Sequence, residues 1–239
     1  MNSILDSNQE YTKEVTRDFF KSVYMYMFMA LAVSGIVAYM AGTPEFFEKY
    51  FVEQSATGEL SLSMLFWVVA IAPLGLGLLM QFMYRKLSYG LLLALYIGYS
   101  VLMGLSLSTI LIYYSGQSVA LTFFVAAGAF GGMAVLGFTT KTDLTKFGSL
   151  LYMAFIGIFI AGIANIWIGS GALDFGIAVI GVFVFTGLTA FFMQTLKRAS
   201  QDNAITGIER DKLALVGGLV LYMLFVNLFM SLLRLMGSD

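Results

Sequence analysis

The chain has 239 residues, of which 59% are hydrophobic and 11% charged, and its mean hydropathy is +0.87, so polar side chains cannot cover its apolar surface and a bilayer must serve as its solvent. Thirteen Lys and Arg against fourteen Asp and Glu leave no broad basic face, which argues against nucleic acid as a partner. Cysteine and histidine are both absent, which removes disulfides, thiolate nucleophiles, imidazole bases and the usual zinc ligands.

Residues 1–21 are polar and mixed in sign, unlike a cleavable signal with a basic start and a short apolar run. Tyr11, Val15 and Phe19 recur at helical spacing among Lys13, Arg17 and Lys21. Two readings stay open for this segment, an amphipathic stretch lying along the headgroups or a solvated tail. It is taken as a cytoplasmic N-terminal segment preceding a single seven-helix transmembrane domain over 22–239. Candidate spans follow at 22–42, 62–84, 88–114, 117–138, 148–168, 172–196 and 213–236. The sixth contains Phe175 to Leu196, twenty-two residues without a charge. As a helix that run is roughly 33 Å long, enough to cross a hydrocarbon core of about 30 Å. Such segments are too long and too uniformly apolar for barrel strands, so the fold class is an all-α integral membrane protein, a bundle of seven transmembrane helices.

Basic residues assign the orientation. Eleven of the thirteen lie in the N-terminal segment or in the 2–3, 4–5 and 6–7 connections; only Lys49 and Arg234 lie on the other side. The positive-inside rule therefore predicts a cytoplasmic N-terminus and an outer C-terminus. The longest outer loop carries Glu45, Glu48, Glu53 and Glu59, which either concentrate cations or form an ordinary solvated loop.

Small residues on the spans predict close helix contacts: Ser100, Gly104 and Ser108 on one stripe of the third, and Gly128 with Gly132 in the fourth. Pro73, near the middle of the second span, removes a helix hydrogen bond and predicts a kink. All fourteen carboxylates fall in predicted loops or helix ends. That placement argues against a proton-coupled pump and an intramembrane aspartyl protease, and the absence of histidine excludes a zinc protease. The seventh span has no central lysine for a retinal Schiff base; Lys212 sits at its mouth.

The polar groups left inside are Asn165 in the fifth span, Gln194 in the sixth, and Tyr222 and Asn227 in the seventh, whose default role is hydrogen bonding between helices. On the seventh span Gly217, Val220, Leu224, Asn227, Ser231 and Arg234 recur at spacings of three and four, a stripe expected to face the interior. Thr189, Phe192 and Thr195 share one face of the sixth span. If the two faces meet, Phe192 and Leu224 plug the interior with hydrocarbon. Arg85, in MYRK, is either an interfacial anchor or a charge at one end of the interior, and Asp143 is a candidate cap for the fifth span.

From Phe19 onward the sequence resembles the Bax inhibitor, YccA-like (TMBIM) family. The matching stretches are FFKSVYMYMFMALAVSG at 19–35, YIGYSVLMGLSLSTI at 96–110, GFTTKTDLTKFGSLLYMAFIGIFIAGIAN at 137–165, GVFVFTGLTAFFMQTLK at 181–197 and LVLYMLFVNLFMSLLRLMG at 219–237. The resemblance implies a bundle with a central sixth helix wrapped by the others, and a calcium-leak or ion-conducting role regulated by pH. Family members typically carry a YDTQ-like motif late in the sixth helix and an LYLDFINLF-like motif in the seventh. Here FFMQ at 191–194 and LYMLFVNLF at 221–229 stand in their place, so Gln194, Tyr222 and Asn227 match while Phe192 and Leu224 replace both aspartates. Neither side chain titrates or offers a cation an oxygen ligand, so no pH switch and no metal site carries over to the pair.

Three functions follow for a protein of a bacterial-type inner membrane: an ion leak, with calcium or another cation as cargo and no pH sensor; a non-conducting regulator of partners such as a membrane protease; or a small-molecule transporter. No nucleophile and base pair is visible and no cofactor motif is present, so an enzyme is not expected.

Overall fold

Hydrocarbon offers the backbone no hydrogen-bond partner, and the computed structural model of the chain meets that demand with helices nearly throughout. It describes residues 2–54, 60–202 and 204–237, with side chains from residue 12 onward outside the gaps. Tyr11, Asp6, Glu10, Glu59 and Asp239, used in the sequence reading, lie outside the described side chains.

In chain order the elements are α1 (Asn2–Ala41), α2 (Pro44–Phe51), β1 (Val52–Gln54), β2 (Leu60–Leu62), α3 (Met64–Met83), α4 (Tyr89–Ser108), α5 (Ile110–Tyr113), α6 (Gly116–Thr139), α7 (Thr145–Ile168), α8 (Gly171–Ser200) and α9 (Ile208–Met236). Among the described residues seven helical segments are long and apolar enough to cross a membrane: Thr12–Ala41, Met64–Met83, Tyr89–Tyr113, Gly116–Thr139, Thr145–Ile168, Gly171–Ser200 and Ile208–Met236. They coincide with the seven expected spans. The first differs most, because α1 runs through residue 21 without a break.

The outer loop of the sequence reading contains structure of its own. Thr43 caps α2, its Oγ1 accepting the Phe46 N–H at 3.2 Å, with Pro44 in the first turn where a missing N–H costs nothing. Phe46, Phe47, Phe51 and Phe66 then pack edge to face, and Val52–Gln54 pairs antiparallel with Leu60–Leu62.

The chain divides into two compact units. One comprises residues 18–115 and 206–219, and the other 1–17, 116–205 and 220–238. In the first, Gly104 lies so near α1 that a Cβ would overlap the Ser34 carbonyl and Val37, and Gly218 is equally close to Tyr26 and Val23. Ser100 and Ser108 are buried beside Gly104, as the small-residue stripe predicts. Tyr96, wholly enclosed, donates to the Tyr26 carbonyl at 2.5 Å.

Pro73 is buried inside α3, which continues through it. Proline has no N–H, so the Val69 carbonyl four residues earlier loses its helical donor. Ser106 of α4 supplies a replacement, its Oγ donating to the Val69 oxygen at 2.7 Å. A neighbouring helix thus repairs what the proline removes.

In the second unit α8 packs against both α6 and α7, which makes the sixth span the middle helix of that unit. Its closest approaches use glycine: Gly137 of α6 meets the Ala190 backbone, Gly148 of α7 the Phe191 ring, and Gly187 of α8 the Leu151 side chain. The fourth-span contact expected at Gly128 and Gly132 is corrected. Both are exposed with nothing beside them, because the inward face of α6 is Thr122, Ala126, Phe130, Ala134 and Gly137. The most enclosed span is the seventh rather than the sixth: 72% of the most apolar stretch of α9 is buried, against 39% for α8 and 6% for α7.

Ser106→Ala is expected to lower stability in detergent by about 1 kcal/mol, the usual net worth of one hydrogen bond. In the Pro73→Ala background residue 73 regains its N–H, so the same substitution should cost clearly less. Thermal unfolding of the four proteins measures this, and equal losses in both backgrounds would refute the repair.

Candidate functional site

Two regions hold the residues that the sequence singles out: the connection between α6 and α7 where it meets the end of α8, and the middle of α9.

At the first, α6 ends at Thr139 and α7 begins at Thr145, leaving a short turn whose backbone groups fall outside both helices. Gln194 of α8 is buried and supplies partners from one side chain. Its Oε1 accepts the Leu144 N–H at 2.9 Å, and its Nε2 donates to the Thr142 carbonyl at 2.8 Å. One turn further along α8, Arg198 donates to Gln194 Oε1 at 3.1 Å, to Thr145 Oγ1 at 2.8 Å and to Asp143 Oδ1 at 2.7 Å. The circuit closes through Asp143, whose Oδ1 also accepts the Thr145 N–H at 3.1 Å and its hydroxyl at 2.7 Å. Lys197 donates to the Phe138 carbonyl at 2.8 Å and lies 4.8 Å from the centre of that ring.

The helix starts at Thr145 with Leu144 at its N-cap position, so Asp143 is not the cap expected of it but stands one residue earlier, bonded to Thr145. Hydrogen bonds from Thr145 and Arg198 hold its carboxyl well below the ordinary value of 3.8, although the group is exposed. The sign follows directly. A carboxyl whose value is lowered by folding stabilises the fold above the unfolded value, and that contribution is lost as pH falls through the folded one.

At the second region Leu224 is 8% exposed, and Leu219, Leu221, Tyr222 and Leu228 around it are completely buried. Buried Phe225 carries the ring packing, edge to face with Phe123 and Phe130 of α6. No Asp, Glu, Lys or Arg is buried among the described residues, and the buried polar side chains are hydroxyls and Gln194. Ser231 presses against Gly181 of α8, where a Cβ would collide with its hydroxyl.

Several sequence expectations are corrected here. The stripe assigned to the interior mixes two faces: Gly217, Leu224 and Ser231 are buried, whereas Val220 is half-buried and Asn227 and Arg234 are exposed. On α8, Thr189 is fully buried, Phe192 only half-buried and Thr195 exposed, so Phe192 does not plug an interior as Leu224 does. The face rotates outward because α8 must turn Met193 and Gln194 inward to meet the rest of its unit. Asn165 lies at the end of α7, not along an interior path. Its Oδ1 accepts the Ser170 N–H at 3.0 Å and its carbonyl accepts the Gly169 N–H at 2.8 Å, in a turn where Gly169 takes φ +66°. Arg85 is exposed, its Nε donating to the Tyr84 hydroxyl at 3.1 Å. Arg198 and Thr145 were not foreseen, since fifty-three residues separate them and no local pattern links them.

A family model described as "Inhibitor of apoptosis-promoting Bax1" matches residues 16–239. The chain belongs to the Bax inhibitor family. Among curated relatives of this Bax inhibitor chain, the "Inner membrane protein YbhL" of Escherichia coli (strain K12) is 40% identical over 220 residues, covering 90% of this chain and 89% of YbhL. A Caulobacter vibrioides protein is 41% identical over 228 residues, 93% of this chain and 89% of its own. One from Borreliella burgdorferi is 34% identical over 236 residues, 98% of each. The match takes in the turn between α6 and α7, Gln194 and the whole of α9.

Asp143→Asn keeps a hydrogen-bond acceptor but cannot titrate. Its melting temperature should lie below wild type at neutral pH, and the two should converge as the pH drops below the ordinary carboxyl range. A constant offset across an acid series would show that the carboxylate charge contributes nothing.

Proposed function

We propose that the protein is an ion leak of a bacterial inner membrane that carries calcium or other cations without titratable control, closed in the present conformation. The observation that supports it most is the middle of α9: apolar side chains enclose Leu224, where family resemblance implies an aspartate, and no described carboxylate is buried. A pathway sealed by hydrocarbon opens through side-chain and helix movement, and protonation has no group there on which to act. The reading is of a conductor and not an enzyme. The N-terminus is assigned to the cytoplasm because eleven of the thirteen basic residues fall on that side, and the inner membrane because YbhL is named for it.

The same seal favours a second reading, a non-conducting regulator of a membrane partner such as a membrane protease. Calcium flux into proteoliposomes separates the two. The leak reading expects a rate above protein-free vesicles that is the same at acidic and neutral pH. Phe192→Asp with Leu224→Asp should then make the rate vary with pH, since carboxyls titrate and the side chains they replace do not. A wild-type rate no greater than in protein-free vesicles would sink the leak and leave the regulator.

A further inference from the structure

From Lys212 to Leu233 every residue of α9 except Asn227 is buried or half-buried. Between those two residues the one exposed position is therefore an amide. It does not stand alone: half-buried Val220, Met223 and Met230 and exposed Arg234 recur with it at spacings of three and four, on one stripe of the helix. Where that stripe ends, Arg234 donates to Asp174 Oδ1 of α8 at 3.4 Å. Asn227 lies seven residues inside Arg234, roughly 10 Å along the axis and within the depth of the hydrocarbon.

Its hydrogen bonds say what surrounds it. The side-chain Nδ2 donates to the Met223 carbonyl at 2.8 Å, and the Asn227 carbonyl accepts from Ser231 Oγ at 2.9 Å. Its Oδ1 accepts no hydrogen bond from the described residues, and the residue is exposed. An amide oxygen left against lipid loses its hydrogen bonds to water with nothing in return, which makes lipid a poor occupant of this opening. The opening is also narrow. Val226 and Leu228 on either side are buried, whereas the outward face of α7 is bare along its length.

We propose that this stripe of α9 lines a crevice filled with water, with its mouth at the Arg234–Asp174 pair and its floor at Asn227. Leu224, one turn deeper and 8% exposed, closes it. Water and small hydrated solutes enter from the C-terminal end of α9 and stop beneath the amide, where Oδ1 accepts a hydrogen bond from the deepest water. This goes beyond the leak reading and stands whether or not ions pass the seal.

The absence of native cysteine makes the test direct, because an introduced thiol is the sole target of a thiol reagent. Asn227→Cys, Met230→Cys, Arg234→Cys, Leu224→Cys and Phe183→Cys are treated with a charged, membrane-impermeant methanethiosulfonate in unsealed membrane fragments, so both faces meet the reagent. Phe183, exposed on the apolar surface of α8, serves as the lipid-facing control. A thiol ionises and reacts in water and not in hydrocarbon. Positions 227, 230 and 234 should react at least about tenfold faster than 224 and 183, while all five react fully once unfolded in detergent. Met230→Cys carries the same expectation should Asn227→Cys fail to reach the membrane. Reaction at 227 and 230 no faster than at 183 means lipid covers the stripe and overturns the crevice. Rapid reaction at 224 overturns the floor. Neither result bears on calcium flux, so this inference and the leak reading fail separately.

Discussion

Within a bilayer a polar group must find its partner in the protein, and the distinctive features of this structure are answers to that demand. Pro73 leaves the Val69 carbonyl without its helical donor and Ser106 of α4 replaces it. The corner between α7 and α8 is tied by both the carbonyl and the side-chain oxygen of Asn165. The turn between α6 and α7 is held by Gln194, which provides an acceptor and a donor from one buried amide. In each case a short uncharged side chain does what water does at the helix ends of a soluble protein.

The same demand shapes what the protein can do. Buried serine and threonine hydroxyls and amides bond to the backbone and to one another, the Thr122 hydroxyl excepted, and among the described residues no charge is buried. The charges gather at the helix ends. Arg198 and Asp143 clasp the start of α7, and Arg234 and Asp174 meet between the opposite ends of α8 and α9. Around Leu224 the middle of α9 is closed by leucines and aromatics.

Close packing of such helices rests on glycine where two backbones meet. Gly137 against Ala190 and Gly104 against Ser34 are contacts that any Cβ would disturb. At the glycine pair that fits the familiar spacing, Gly128 and Gly132, an added Cβ would meet nothing within 4 Å. Spacing shows that a helix has a smooth stripe; the neighbours show whether anything lies against it.

Taken alone, the sequence determined the solvent, the helix count and nearly all the span limits, because length and apolarity are summed along the chain and need no knowledge of neighbours. It also placed the carboxylates in loops or at helix ends and marked Gln194 and Asp143 as polar residues with a task. Only the tertiary structure decided which face of each helix is inside. Leu224 and Ser231 turn inward while Asn227 and Arg234 on the same helix turn out, and Phe192 stays half-exposed beside buried Met193. The reason is that a span apolar on every side has no amphipathic pattern to read, so its orientation is set by where glycines let partners approach and where a turn such as Thr142–Thr145 needs hydrogen bonds from a helix some fifty residues away.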